Sequence, residues 1–497
     1  MKKIKIKLAL VALAIITMGT ALAGCGSKGN TSSAAATDAS KLAPYEISWY
    51  YVGGSEQKDT AVVEAAINKI IQPKMNATIK LHLLDWGTYG NKIKTMISAG
   101  EPFDICFTAL WMNDYVKNSQ DGAFVALDDY FKKELAGTKK LLGDDFLSGS
   151  VINGKNYGIP ANKEKARDWG FVYNKTMADK YGFDMSKVKT YADLEPMLKV
   201  IKEKEPADVE PLESQKLGGT CFIPWNPENT MNDGEATAIL TDGKVVNAFE
   251  TPEVKAAFDL ERKWYNAGYY RKDVLTATDN AAIEKAGKFF AYAMNLKPGY
   301  ADERNSTLEG YKVAQIDLTD VVMTNADTMG SLQAISKTSK DPQRAAMFLE
   351  LVNTDKTISN LVNYGVEGTH YTKNANGMID TVKNSAYAPN MQWMFGNQFI
   401  TYQYSNEDPK KWENFESFNK KAAKEVSLGF IFDKDPVANE LAAIASIVKE
   451  YNPALTVGAV DPEAKLPELN KKLKQAGIDK VIKEKQKQYD AWKANKK

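Results

Sequence analysis

The chain has 497 residues, with 64 Lys and Arg against 63 Asp and Glu, two His, three Cys and a formal charge of +1. That length exceeds what a single hydrophobic core organises, so at least two lobes are expected. Charges of both signs are interspersed with no basic stripe, which argues against a nucleic-acid surface, and two histidines exclude a His-rich metal centre.

The first residues carry Lys2, Lys3, Lys5 and Lys7, followed by an apolar run from Leu8 to Thr20. The run is shorter than the roughly 20 residues a membrane-spanning helix needs. With Leu22-Ala23-Gly24-Cys25 behind it, it reads as a cleaved export signal over residues 1–24, and it resembles a bacterial lipobox in which Cys25 is lipidated. The competing reading is an ordinary signal peptide with an incidental cysteine. Loss of residues 1–24 removes four lysines and no acid, taking the formal charge from +1 to −3. Residues 25–43 are rich in Gly, Ser, Thr and Ala and read as a flexible tether.

From there the pattern alternates. A strand runs from Glu46 to Val52 and ends at Gly53-Gly54. A helix from Asp59 to Ile71 follows, with Val62, Val63, Ala66, Ile67 and Ile70 at helical spacing. Ile79, Leu81 and Leu83 alternate on a strand from Ala77 to Leu84. Tyr89 to Ala99 is a helix closed by Gly100, and Phe103 to Thr108 is a buried strand on which Cys106 is a small core residue, not half of a disulfide with Cys221. Thr190 with Asp193 makes a capping box. Thr251-Pro252-Glu253 opens a helix that Gly268 ends. Strands are expected at Phe289 to Ala293, Lys312 to Ile316 and Ser331 to Ile335. Asp341-Pro342 opens a helix with Ala346, Phe348, Leu349 and Val352 on one face. Asp479 to about Ala494 is a last amphipathic helix. Strands alternating with helices predict an α/β fold with mainly parallel sheets.

Motifs for catalysis are missing. There is no phosphate loop and no dinucleotide fingerprint. Neither His82, outward on a strand, nor His370, in a loop, has a nucleophile elbow nearby. Asp433-Lys434-Asp435-Pro436 lacks the Gly and final Glu of a calcium loop. No cofactor and no metal site are expected; a pair of catalytic carboxylates stays open, because 63 acids offer many pairs. Aromatic residues are the positive signal: 9 Trp, 23 Tyr and 19 Phe, several at strand ends or in loops, among them Trp86, Trp111, Trp169, Trp225, Tyr292 and Trp393. Flat rings suit the CH-rich faces of sugars. Trp49, which points opposite to Tyr50 on its strand, is expected in the core. Trp111 and Trp169 are expected in a pocket, each beside polar residues (Asn113-Asp114 and Arg167-Asp168).

Four stretches carry a family resemblance. They are Asn76-Ala77-Thr78 through Asp85-Trp86-Gly87-Thr88-Tyr89 to Gly100-Glu101-Pro102-Phe103-Asp104; Gly243 to Asp273; Ser339-Lys340-Asp341-Pro342 through Asn363-Tyr364-Gly365-Val366-Glu367-Gly368; and Ala476-Gly477-Ile478-Asp479 to Trp492. The chain resembles the extracellular solute-binding lipoproteins of ABC importers, family 1 (maltose-binding type), in the LipO-like branch with a C-terminal domain of unknown function. The resemblance implies a two-lobed periplasmic-binding-protein-like fold of type II. Residues 44–160 with 326–371 would form the N-lobe, and residues 161–325 with 372–497 the C-lobe, with a hinge near Pro160, Ala326 and Tyr371. It implies ligand contacts at Gly54, Thr108, Trp111, Arg167, Trp169, Trp225, Tyr292, Glu367 and Trp393. Thr108 stands where the family's stacking Trp would be, with Trp111 three residues on, which argues against maltodextrin itself.

The function implied is a monomeric binding protein, not an enzyme, tethered by lipid on Cys25 to the extracytoplasmic face of the cell membrane. It would capture a carbohydrate, an oligosaccharide above all, in the interlobe cleft and deliver it to an ABC permease. The alternatives are a non-transport sugar sensor, a carboxylate-dependent glycoside hydrolase, or the same fold with a peptide or aromatic metabolite as ligand.

Overall fold

The computed structural model describes residues 42–54, 57–213, 235–277, 280–305 and 308–495. The export signal, Cys25, most of the tether, Cys221 and Trp225 lie outside the described residues.

In the first lobe, β1 (Tyr45–Gly53) buries Ile47, Trp49 and Tyr51 on one face. The helix α1 (Thr60–Met75) ends where Asn76 takes a left-handed conformation, φ 47°, and donates its N–H to Gln72 O. This reversal feeds β2 (Ala77–Asp85), parallel to β1 from Tyr45 beside Ala77 to Gly53 beside Asp85. The helix α2 (Tyr89–Ala99) is closed by Gly100 at φ 66°, a conformation that favours glycine, and β3 (Ile105–Thr108) returns parallel to β1. After β4 (Gly158–Pro160) the chain crosses to the second lobe, where β5 (Asp168–Asn174), β6 (Glu210–Leu212), α3 (Pro252–Asn266), β7 (Phe289–Leu296) and β8 (Val313–Asp317) follow. It comes back for β9 (Leu332–Ile335), α4 (Pro342–Thr354) and α5 (Lys356–Tyr364), and closes with α6 (Ala438–Thr456), α7 (Pro462–Gln475) and α8 (Ile478–Asn495).

The first sheet has the order β2-β1-β3-β9-β4, with β9 running against its neighbours. The second has the order β8-β5-β7-β6; β5 runs against β7 and β8, and the other three share one direction. These are two α/β lobes, as expected, but their sheets are mixed and not mainly parallel, because β9 and β5 each run against both of their neighbours. The capping signals do what their chemistry implies. Thr251 accepts from Val254 N at the start of α3, Asp341 from Arg344 N at the start of α4, and Thr190 with Asp193 forms a complete capping box.

Trp49 is fully buried, its indole N–H donating to Gln333 Oε1 at 2.8 Å and its ring packed edge-on to Phe348 and Phe395. Cys106 is a buried core residue. His82 is half-buried, stacked on Tyr50 at 4.3 Å. His370 is buried in its turn, where Nδ1 accepts from Val366 N at 2.8 Å.

The chain returns to the second lobe later than expected. Residues 372–404, expected in the C-lobe, pack on the first: Tyr387, Met394 and Phe395 belong to its core, and Phe395 meets Tyr51 at 5.1 Å. A ribbon marks the crossings. Arg167 bridges antiparallel to Val322, and Val322-Met323 pair parallel with Ala423-Lys424. The third crossing therefore sits near Ala423, not Tyr371. The physical reason is that Phe395 and Met394 find apolar partners only in the first core. Helices α6, α7 and α8 then enclose a separate core with α3, through Phe258, Ile444, Leu469 and Val481. Among the described residues no helix is long and apolar enough to cross a membrane.

Candidate functional site

The carboxyl ends of β1, β2 and β3 lie side by side in the first sheet, the edge at which open α/β sheets take ligands. Trp86 follows β2 directly and Trp111 lies three residues beyond β3. Trp393 is brought to them by the segment that Met394 and Phe395 anchor in the core. The Trp86 ring lies 6.1 Å from Trp111 and 6.3 Å from Trp393, at interplanar angles of 27° and 17°. Phe107 lies against Trp111 and Trp393, at 5.7 Å from each.

Trp86 is 39% exposed and Trp111 52%. A contiguous apolar surface of this kind, left in water by a fold that buries Trp49 and Trp264 completely, is a candidate binding surface. Its rings are held in place. The Trp111 indole N–H donates to Gly330 O at 2.9 Å, and Ser331 Oγ donates to the Trp393 backbone carbonyl at 3.2 Å, so one turn ahead of β9 fixes the Trp111 ring and the Trp393 backbone. Asp85 orients the Trp86 turn by accepting from Gly87 N, Thr88 N and Thr88 Oγ1. The Thr88 hydroxyl bond holds the Asp85 carboxyl below its usual range.

The other expected site residues divide. Gly54 borders the cluster: a Cβ there would lie 4.0 Å from Trp86 Nε1. Thr108 is fully buried and donates its hydroxyl to Asn113 O at 2.6 Å, so it shapes the loop that carries Trp111. Trp169 is half-buried at the start of β5, its N–H donating to Thr319 Oγ1. Arg167 is engaged in the hinge ribbon, with Nε 2.7 Å from Asp327 Oδ1, and Asp327 is itself the capping residue for Thr324. Glu367 pairs with Lys373 at 2.8 Å, and Lys373 lies over the Tyr402 ring. Tyr292 is buried in the second lobe's core against Phe289, so its ring has no open face for a ligand; β7 is packed on both faces there, with Phe290 and Ala291 also fully buried. Trp86 was missing from the expected set. Its only sequence signal is its place just past a strand end.

Among the described residues no group of three or more His, Cys, Asp or Glu is close enough to share a metal ion. The arrangement offers flat apolar surface with hydrogen-bonding groups at its rim, which suits a ligand with CH-rich faces and hydroxyl edges.

Comparison with known proteins agrees with the two-lobed fold. Residues 55–358 match the model of the bacterial extracellular solute-binding proteins, and residues 426–494 match a domain of unknown function, DUF3502. A carbohydrate ABC transporter substrate-binding protein of Streptococcus pneumoniae is 34% identical over 99% of each chain. The crystal structure of the N-glycan transport solute-binding protein of Streptococcus pneumoniae is 33% identical with a TM-score of 0.82, covering 92% of this chain and all of that one. Its complex with Man5GlcNAc is 32% identical over the same shares, with a TM-score of 0.69. The chain belongs to the bacterial extracellular solute-binding proteins.

Proposed function

We propose that the chain captures an oligosaccharide in its interlobe cleft, by stacking sugar rings on Trp86, Trp111 and Trp393, and hands it to an ABC permease without altering it. The observation that carries this reading is the three-tryptophan cluster at the carboxyl ends of β1, β2 and β3, in which Trp86 and Trp111 are exposed and Trp393 is half-buried. The Streptococcus relatives, one described as a carbohydrate transporter component and one crystallised with Man5GlcNAc, support a glycan of the N-glycan type. The fold is more similar to one crystal structure of that N-glycan protein, with a TM-score of 0.82, than to its Man5GlcNAc complex, with 0.69, and the proposal includes closure of the two lobes on ligand. Closure then needs only a ligand with higher affinity for the closed state, acting on the ribbon of Arg167, Val322 and Ala423. Lipid on Cys25 would keep the cleft beside its membrane partner on the extracytoplasmic face, where effective concentration is high.

Titration calorimetry with Man5GlcNAc, followed by small-angle scattering, tests this. Binding is expected, with a fall in radius of gyration and recovery of intact glycan. A panel of mono- and oligosaccharides of which none binds, or a glycan that returns cleaved, would overturn it. Replacing Cys25 should release a protein that still binds.

A further inference from the structure

The first lobe's tryptophans offer stacking surface, and the second lobe's sheet has a ligand edge of its own. Because β5 runs against β7 and β8, its first residues stand level with the carboxyl ends of those strands: Asp168 is opposite Leu296, the last residue of β7, and Gly170 is opposite Asp317, the last of β8. This is the edge of the second sheet on which a ligand is expected, and it is acidic. Asp168 is only 4% exposed, and its Oδ1 has no hydrogen-bond partner. Asp317 is exposed and accepts from Gln315 Nε2 at 3.0 Å. The nearby cations are already engaged: Lys297 with Glu303 at 3.0 Å and over the Phe415 ring, Arg167 with Asp327. An acceptor left unpartnered in a buried position calls for a donor from elsewhere.

We propose that Asp168, with Asp317 beside it, is the second lobe's acceptor for ligand hydroxyl groups, and that this acidic edge selects uncharged sugars over sugar acids. The assignment rests on the oligosaccharide reading above. A carboxylate offers only acceptors, so it is completed by sugar O–H groups and repels a sugar carboxylate brought to the same edge. The tryptophans of the first lobe carry no charge to offset that repulsion.

Calorimetry at pH 8 uses two probes of one skeleton: Man5GlcNAc, and the same glycan with its primary alcohols oxidised to carboxylates. The native chain is expected to bind the neutral glycan at least thirtyfold more tightly. Asp168→Ala should weaken neutral binding tenfold or more, and D168N with D317N should narrow the neutral-to-acidic ratio below threefold. Melting curves confirm that each variant folds; if Asp168→Ala does not, D168N alone carries the comparison. Neutral binding by the Asp168 variant within twofold of native, or equal native affinity for both probes, overturns the assignment while leaving the sugar reading intact. Native protein that binds neither probe overturns the sugar reading and the assignment with it.

Discussion

The rings of Trp86 and Trp393, far apart in the chain, lie 6.3 Å centre to centre and within 17° of parallel. Neither ring alone makes a platform; the pair does, with Trp111 as the third side. Trp86→Ala is expected to weaken Man5GlcNAc binding by ten- to a hundredfold, about 1.4 to 2.8 kcal/mol. The melting temperature should hold, because the ring is 39% exposed. Tyr292→Phe, on a buried ring, should leave affinity unaltered. Calorimetry on the two variants separates a stacking surface from general aromatic content.

Asp104 explains the Gly100-Glu101-Pro102-Phe103-Asp104 stretch as scaffold. Its buried carboxylate accepts from Tyr45 Oη at 2.6 Å, Ser48 N at 2.9 Å, Ser48 Oγ at 3.1 Å and Ser339 Oγ at 2.5 Å. It thereby ties β1 to the turn ahead of α4. Burial, then the Asp104 bond and charge, push the Tyr45 phenol up to about 12. Asp104→Ala strands these donors and should cost about 3 kcal/mol. Urea denaturation measures it; sugar affinity should not change.

Much of the fold was legible because local chemistry decides it. Caps at Thr190, Thr251 and Asp341 and the alternation in β2 act over a few residues, and the helices and strands fall where those signals stand. The site was legible only in part. Trp111 could be picked out by its polar neighbours, whereas its partner Trp86 offered only its place just past a strand end. Trp393 reaches them because Phe395 packs on Trp49 and Tyr51, a long-range contact that no periodicity encodes. The same contact moved residues 372–404 to the first lobe. Tyr292 illustrates the converse: alternation tells which residues share a face of β7 but not that both faces are packed there.

Asp168 should make stability depend on pH. Burial first, then the Asp317 charge, raise its carboxyl to about 7, from an ordinary value near 3.9. A raised carboxyl is protonated more readily in the folded chain than in the unfolded one. Its stabilising contribution is therefore full below the ordinary value and is lost as pH rises through 7. Between pH 5 and pH 8 the native chain should lose on the order of 2 kcal/mol that D168N does not. The difference between the two urea midpoints, taken at each pH, isolates this group from every other titration; a constant difference rejects it.

The C-terminal helices should depend on one buried charge cluster. Lys485 of α8 lies 2.6 Å from Glu235 Oε2 and 3.0 Å from Thr237 Oγ1, and Lys434 lies 2.7 Å from Glu235 Oε1. Burial alone would raise the Glu235 carboxyl, but the two lysines prevail and hold it down at about 2. Lys485→Met removes the buried cation and leaves Glu235 at 6% exposure with less compensation, which should cost about 3 kcal/mol. K485M combined with E235L removes both buried charges and should recover most of that loss, since an apolar pair of similar volume avoids the desolvation penalty. The pH sign follows from the lowered carboxyl: Glu235's contribution is present above the ordinary glutamate value near 4.3 and fades as pH falls through about 2. Acid unfolding of K485M should therefore begin at higher pH than in the native chain, while the double variant should lose the acid dependence that Glu235 supplies. A double-mutant cycle in urea, repeated at pH 7 and pH 3, gives the coupling directly; a coupling near zero at pH 7 would mean that α8 is held by its apolar face through Val481 and Tyr489 alone.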